Sequence, residues 1–245
     1  MRNSLVISAA IVALLGVSSA LAQTNVGVSR TRFCTIAPGY SMADVVATAR
    51  GFAWSEETAP GLVLFRNGIA TAGGSQFDFI LETVYPSYAD MVEKVGARSQ
   101  RQAATDGRQG LDGVASCTEN VRIRNRRIVA PFPGGPGSAQ PLTAMTSTLC
   151  ELNGATIDDA AAMASRIAED LGALGRIRYG GYGSGQGVAI NSRVRMDFFS
   201  PSFADFASSR DRRNQNGTTA LDPNNPISCT VPSLSASYVI YPQGN

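Results

Sequence analysis

Phe33-Cys34, followed by Gly39-Tyr40-Ser41-Met42-Ala43-Asp44-Val45, returns later as Leu149-Cys150 followed by Gly154-Ala155-Thr156-Ile157-Asp158-Asp159-Ala160. Both stretches read as a cysteine, a short spacer, then Gly-x-(Ser/Thr)-(Met/Ile)-x-Asp running into an Ala-rich apolar segment. Three more landmarks recur in the same order, the four together at offsets of 110 to 116 residues. Pro86-Ser87-Tyr88-Ala89-Asp90 matches Pro201-Ser202-Phe203-Ala204-Asp205, Leu111-Asp112 matches Leu221-Asp222, and Ser116-Cys117-Thr118 matches Ser228-Cys229-Thr230. Ordered landmarks at a near-constant offset predict a tandem duplication.

Between the copies lies Pro131-Phe132-Pro133-Gly134-Gly135-Pro136-Gly137-Ser138, a stretch that can hold neither a helix nor a central strand. The expected organisation is therefore a first repeat over 23–130, a linker over 131–140 and a second repeat over 141–245. Residues 1–22 are expected to be a cleaved secretory signal: Arg2, an apolar run from Leu5 to Val17, then Ala20-Leu21-Ala22. The run is too short to span a bilayer, and no comparable run follows, so no membrane anchor is expected. The product is read as periplasmic or secreted, from a bacterium.

Each copy reads element by element. Thr31 to Ile36 is a short strand. Ser41 with Asp44 makes a capping-box-like start for a helix from Met42 to Phe52, and Thr156 with Asp159 repeats it. Leu62 to Phe65 and Phe77 to Tyr85 read as two strands, the second rich in β-branched and aromatic residues. Pro86 suits the first turn of a helix continuing to Arg101. Val114 to Val129 closes the copy, with Val121 and Ile123 alternating with Arg122, Arg124 and Arg126. The order β-α-β-β-α-β is the ferredoxin-like split pattern, so the fold class is α+β: two tandem ferredoxin-like units forming a pseudo-dimer.

In that element order the chain resembles the broad class of dimeric α+β barrel proteins, in which two such units place their sheets face to face. The resemblance covers residues 30 to 242. It implies a barrel made from one polypeptide, hence a monomer with pseudo-two-fold symmetry. The class includes monooxygenases and haem-degrading enzymes, many of which use a histidine. This chain has none, which excludes Ser-His-Asp and Cys-His catalysis and His-ligated zinc or haem.

Four cysteines in an exported chain point to two disulfides. Three pairings are possible. A ferredoxin-like sheet sets its first strand beside its fourth, which favours Cys34 with Cys117 and Cys150 with Cys229. Each bridge would close a loop of roughly 80 residues, valued at about 4 kcal/mol in the chain-entropy model.

Alternation along the third strand of each copy separates two faces. Phe77, Phe79 and Leu81, like Val194, Met196 and Phe198, are core-like. Asp78, Ile80, Glu82 and Val84, and Arg193, Arg195, Asp197 and Phe199, form the opposite faces, with Glu82 and Asp197 at matching positions. Arg122, Arg124, Arg193 and Arg195 are the expected ligand-binding residues, able to hold a small anion by bidentate hydrogen bonds in a cleft between the sheets. The plainer reading of the same faces is a set of Arg–carboxylate pairs joining the two sheets. Glu82 and Asp197 are the only catalytic candidates, and nearby arginines would lower their pKa rather than raise it. The net charge of +2 selects neither nucleic acid nor an anionic membrane.

The functional expectation is a non-enzymatic exported module, without cofactor or metal, that binds a protein partner or a small anionic ligand. The alternatives are an α+β-barrel enzyme acting on a small organic substrate and a structural envelope protein. Tyr179 to Gly187 is expected to be a flexible hairpin loop, Trp54 a core residue, and Asn216-Gly217-Thr218 a turn.

Overall fold

The computed structural model describes residues 26–71, 76–104, 110–132, 140–183, 192–216 and 225–242. The expected signal segment, Pro133 to Ser138 of the linker, the Leu221-Asp222 landmark and residues 217–218 lie outside the described residues.

In the first half the order is β1 (Val26–Ile36), α1 (Met42–Arg50), β2 (Leu62–Ala70), β3 (Phe79–Tyr85), α2 (Tyr88–Ala104), β4 (Ala115–Cys117) and β5 (Arg122–Ala130). The second half follows with β6 (Leu142–Glu151), α3 (Ile157–Leu171), β7 (Leu174–Gly183), β8 (Arg193–Phe199), α4 (Phe203–Asn216), β9 (Ser228–Cys229) and β10 (Ser233–Tyr241). Neighbouring strands run β10-β2-β3-β1-β5-β7-β8-β6, and β6 pairs again with β10. Eight strands thus close into a barrel, all pairs antiparallel. Closure leaves none of these eight strands with an open edge. Within the halves the orders are β5-β1-β3-β2 and β10-β6-β8-β7, joined by β5 against β7 and β10 against β2.

Helices start where short polar side chains cap them. The Ser41 and Thr156 hydroxyls accept from the backbone N–H of Asp44 and Asp159, whose carboxylates accept in return from the cap N–H groups. Both helices cover the outside of the sheet. Val45, Val46 and Ala49 of α1 pack on Val63, Phe65 and Phe79. Under α3 lie Ile177, Val194, Met196 and Phe198, met by a stripe of small residues, Ala160, Ala161, Ala164 and Ala168. Small residues let the helix approach closely: a Cβ on Gly175 of β7 would stand 2.7 Å from that of Ala168.

Trp54 is half-buried, packed edge-on to Phe52 with Arg98 over its ring, at the border of the α1 core. Phe77 departs from the expected alternation. Because β3 begins only at Phe79, Phe77 lies before the strand and stacks on Phe33, with ring centroids 5.0 Å apart.

Disulfides join Cys34 to Cys117 and Cys150 to Cys229, and the paired cysteines face each other across β1–β4 and β6–β9. Short strands β4 and β9 therefore supply the bridges, while the separate strands β5 and β10 close the barrel. Among the described residues no helix is long and apolar enough to cross a membrane.

Candidate functional site: the polar interior of the barrel

Register decides what fills the barrel. Glu82 of β3 stands opposite Thr31 of β1 and Leu64 of β2. Asp197 of β8 stands opposite Ser147 of β6 and Arg176 of β7. Side chains at paired positions share a face, so Arg66, Ser29, Arg126, Arg178, Arg195 and Ser237 point to the same interior. At one end the interior is apolar, with Leu64, Met145, Leu174 and Phe199 packed with Leu62, Val239 and Phe132.

Next to this plug lies an ion-pair network. Arg176 donates from Nη2 to Glu82 Oε2 at 2.8 Å and from Nε to Asp197 Oδ2 at 2.9 Å, so one guanidinium ties the two halves together. It also lies over the Phe199 ring, 4.8 Å from its centroid. Arg178 donates from Nε to Asp197 Oδ2 at 2.7 Å and from Nη2 to Oδ1 at 3.1 Å, a bidentate contact. Ser147 adds a hydroxyl to Asp197 Oδ1 at 2.7 Å. Arg66 Nε stands 3.2 Å from Glu82 Oε2. Burial alone would push the Glu82 carboxyl up, but the Arg176, Arg66 and Arg178 charges outweigh it and hold it at about 2. Asp197 is treated likewise, burial pushing up and Arg178, Arg176 and Arg66 pulling it well below the usual carboxylate range.

Both carboxylates are therefore fixed anions at neutral pH. A general acid must be protonated at working pH and a useful base must have a pKa near it. Neither Glu82 nor Asp197 meets that condition.

The network does not neutralise the interior. Among the described residues, Arg66, Arg126, Arg176 and Arg178 are each at most 6% exposed, against only Glu82 and Asp197 at 0%. Four buried guanidiniums face two buried carboxylates, an excess of two positive charges. Arg126 carries much of that excess. Burial and the Arg176 charge draw its guanidinium down to about 10, only partly offset by Glu82, so it stays cationic at pH 7.

Towards the other end of β5, β7 and β8 the positive charge continues. Arg195 donates from Nη1 to Ser147 Oγ at 3.0 Å, and its pKa is lowered by burial and by the charges of Arg178, Arg122 and Arg124, against the pull of Asp197. Arg124, also lowered by burial and by Arg122 and Arg178, donates to the carbonyls of Ile123 and Tyr182. Arg122 lies over the Phe33 ring, 4.8 Å from its centroid.

A bulge shapes this corner. Between the pairs Ile123–Tyr182 and Asn125–Tyr179, β7 has one more residue than β5. Gly180 and Gly181 take positive φ there, and a Cβ on Gly181 would stand 2.0 Å from the Ile123 carbonyl oxygen. Only glycine fits at 181. The segment Tyr179–Gly183 is thus strand, not the flexible loop expected from its glycines; residues 184–187 of that stretch lie outside the described residues.

Of the four arginines read as ligand-binding, Arg122, Arg124 and Arg195 share one electrostatic cluster. Arg193 stands apart: its Nη2 pairs with Glu151 Oε1 at 2.8 Å, both side chains half-exposed. Sequence reading passed over Arg66, Arg176 and Arg178. The Arg-x-Arg alternation at 176 and 178 becomes a signal only once β7 is set against β8 with Asp197 between them. Among the described residues there is no group of three or more His, Cys, Asp or Glu able to hold a metal ion.

No protein-family model and no curated protein sequence matches the chain. Solved structures do. A candidate monooxygenase from Fusobacterium nucleatum is similar over 88% of this chain and 92% of its own, with a TM-score of 0.48 and 10% identity. A mutant chlorite dismutase from Candidatus Nitrospira defluvii covers 89% and 93%, with a TM-score of 0.44 and 11% identity. The encapsulated DyP-type peroxidase of Mycobacterium smegmatis covers 87% and 93%, with a TM-score of 0.41 and 9% identity. The likeness is one of overall fold, the dimeric α+β barrel, and the activities in these names belong to those proteins. Because the similar structures bear enzyme names, the expectation of a non-enzymatic module is corrected and is not kept.

Proposed function

We propose that the chain is an α+β-barrel enzyme acting on a small organic anion, bound at the arginine cluster of Arg195, Arg124 and Arg122 with Arg178 beneath it. The observation that carries this reading is the excess of buried guanidinium over carboxylate in the barrel. Unpaired buried charge is costly, by several kcal/mol per ion after relaxation. An anionic guest is the partner that removes that cost. Guanidinium forks suit a carboxylate or another planar oxyanion.

With no histidine in the chain and both interior carboxylates held ionised, acid–base chemistry by those groups is not what the site offers. Fixed cations in a water-poor barrel stabilise negative charge as it develops on a substrate oxygen. The reaction is therefore one whose transition state is more anionic at an oxygen near Arg195 and Arg178 than the bound substrate is.

The test is turnover. Small carboxylic acids that raise the thermal midpoint are incubated with the protein and followed by proton NMR. At least one should be consumed, and Arg195→Met should slow its loss by at least about 100-fold, the scale of removing one transition-state donor. Binding of several acids with turnover of none would contradict the enzyme reading.

A purely structural role is the second reading, supported by one observation: Arg176 pairs simultaneously with Glu82 of one half and Asp197 of the other, as an architectural lock would. It predicts that no acid binds.

We also infer that the halves arose by duplication, with a boundary at 131–140. Their matching landmarks, matching capping boxes and matching disulfides support this. Two disulfides fit an oxidising compartment, and export through residues 1–22 into a periplasm or medium is the route we propose, the mature chain acting as a monomer.

A further inference from the structure

Inside the barrel, beside the ion-pair network, several polar atoms have no hydrogen-bond partner among the described residues although their residues are almost wholly buried. They are Glu82 Oε1, Arg126 Nε, Ser29 Oγ and Ser237 Oγ, together with Arg66 Nε, which meets Glu82 as an ion pair only; all are on residues 0 to 6% exposed. Buried polar groups are ordinarily satisfied, and each exception needs a reason. Ser237 is on β10, across the barrel from β1. Three of the others belong to adjacent strands: Ser29 on β1, Glu82 on β3 and Arg126 on β5. Ser29 lies diagonally from both, its direct partners being Val84 and Arg124 while Glu82 pairs with Thr31 and Arg126 with Gly27.

Gly27 explains how Arg126 reaches this place. A Cβ on that residue would stand 2.6 Å from the Tyr85 carbonyl oxygen and 3.2 Å from Arg126 Nε. The missing side chain leaves the Arg126 stem room to lie across β1, close enough to Glu82 to feel its charge. Glu82 meanwhile spends one oxygen, Oε2, on Arg176 and Arg66, leaving the other free. The result is a cationic donor on β5 and a carboxylate acceptor on β3, the two strands that flank β1, with a β1 hydroxyl between them that can serve as either.

We propose that this pair of groups, Arg126 and Glu82 with Ser29 between, recognises an anion that also carries a hydroxyl: its oxyanion accepts from Arg126, and its hydroxyl donates to Glu82 Oε1. A plain carboxylate satisfies Arg126 and leaves Glu82 Oε1 desolvated and unpaired, which is costly. A 2-hydroxy carboxylate satisfies both. Sites built to hydrogen-bond a substrate hydroxyl reject the analogue that lacks it far more strongly than apolar pockets reject a methylene. The inference rests on the organic-anion reading above and narrows its substrate class.

Acetate and glycolate, which differ by one hydroxyl, are the probes, titrated calorimetrically into the full chain at pH 7 and constant ionic strength. Glycolate should bind at least about tenfold tighter than acetate to the unaltered protein. Ser29→Ala should shrink that ratio, and Arg126→Met should bring it to within about twofold while weakening both probes. Arg126→Lys keeps the charge but displaces the donor, so it should retain acetate binding and lose the preference, which keeps the test open should the methionine variant fail to fold. Equal binding of the two probes to the unaltered protein, or a preference undiminished in Arg126→Lys, would overturn the hydroxyl assignment while leaving the anion reading intact. Binding of neither probe would overturn both.

Discussion

Glu82 and Asp197 occupy matching strand positions in the two halves, yet the barrel treats them differently. Asp197 is saturated: two arginines and a serine hydroxyl take up both of its oxygens. Glu82 directs only Oε2 to arginines and keeps Oε1 without a hydrogen-bond partner among the described residues, in a fully buried setting. The second half thus supplies the structural lock and the first half the open acceptor. Two halves with one element order can share a fold and differ inside, because the fold is set by the outward apolar faces while the inward faces are free to differ.

The largest expected consequence of this difference is in stability. Asp197→Asn removes the charge that two guanidiniums surround and should cost about 3–5 kcal/mol, the range for breaking a buried pair from one side. Glu82→Gln should cost less, by at least about 1 kcal/mol, since only one of its oxygens is engaged. Urea unfolding of the two variants measures both, and equal losses would erase the contrast between the halves.

The pH dependence sharpens it. Glu82 sits at about 2 in the folded chain, below its ordinary 4.5, and Asp197 also lies below its ordinary value. Depressed carboxyl pKa values contribute stability that is fully present above the unfolded values and is lost as pH falls through the folded ones. Stability should therefore hold steady from pH 7 to about 5, then fall steadily towards pH 2. In Glu82→Gln the decline should be shallower. An unchanged acid limb in that variant would mean that Glu82 is not held down by its arginines.

Arg126→Met should run the other way in the unliganded protein. Removing a buried cation that has no carboxylate partner among the described residues should stabilise by about 1 kcal/mol or more, as apolar replacements of buried charge often do. A loss of stability would show that the charge is already satisfied. Smallest of all, Ser41→Ala and Thr156→Ala remove equivalent helix caps and should each lower the thermal midpoint by about 2–4 °C. Unequal shifts there would place the difference between the halves in their helices as well as in the barrel.

Much of this architecture was legible in the sequence because local rules govern it. The capping boxes at Ser41 and Thr156, the alternation at Phe79 and Leu81 and at Val194 to Phe198, and the cysteine positions all depend on neighbours in the chain or on element order. What was not legible depended on register between distant strands. Arg176 and Arg178 acquire meaning only as ion-pair partners of Asp197, and Arg66 only as a partner of Glu82. Arg193 looked equivalent to Arg195 by alternation, but pairing with Glu151 at the strand end takes it out of the cluster. Glycines misled at Tyr179 to Gly183, where a bulge uses Gly181 for close backbone approach and the strand continues through it. Phe77 misled for the opposite reason, since the alternation was extended beyond the start of the strand.

Holding a small organic anion is the role proposed for the surplus guanidinium charge in the barrel. Its most direct test is the thermal unfolding midpoint against glycolate concentration, with chloride as the balancing salt to keep ionic strength constant. Mass action requires a guest that binds only the folded chain to raise the midpoint progressively. Such a rise is expected in the unaltered protein, and its loss in Arg195→Met. A midpoint that does not move with glycolate, or that rises equally in Arg195→Met, would contradict it.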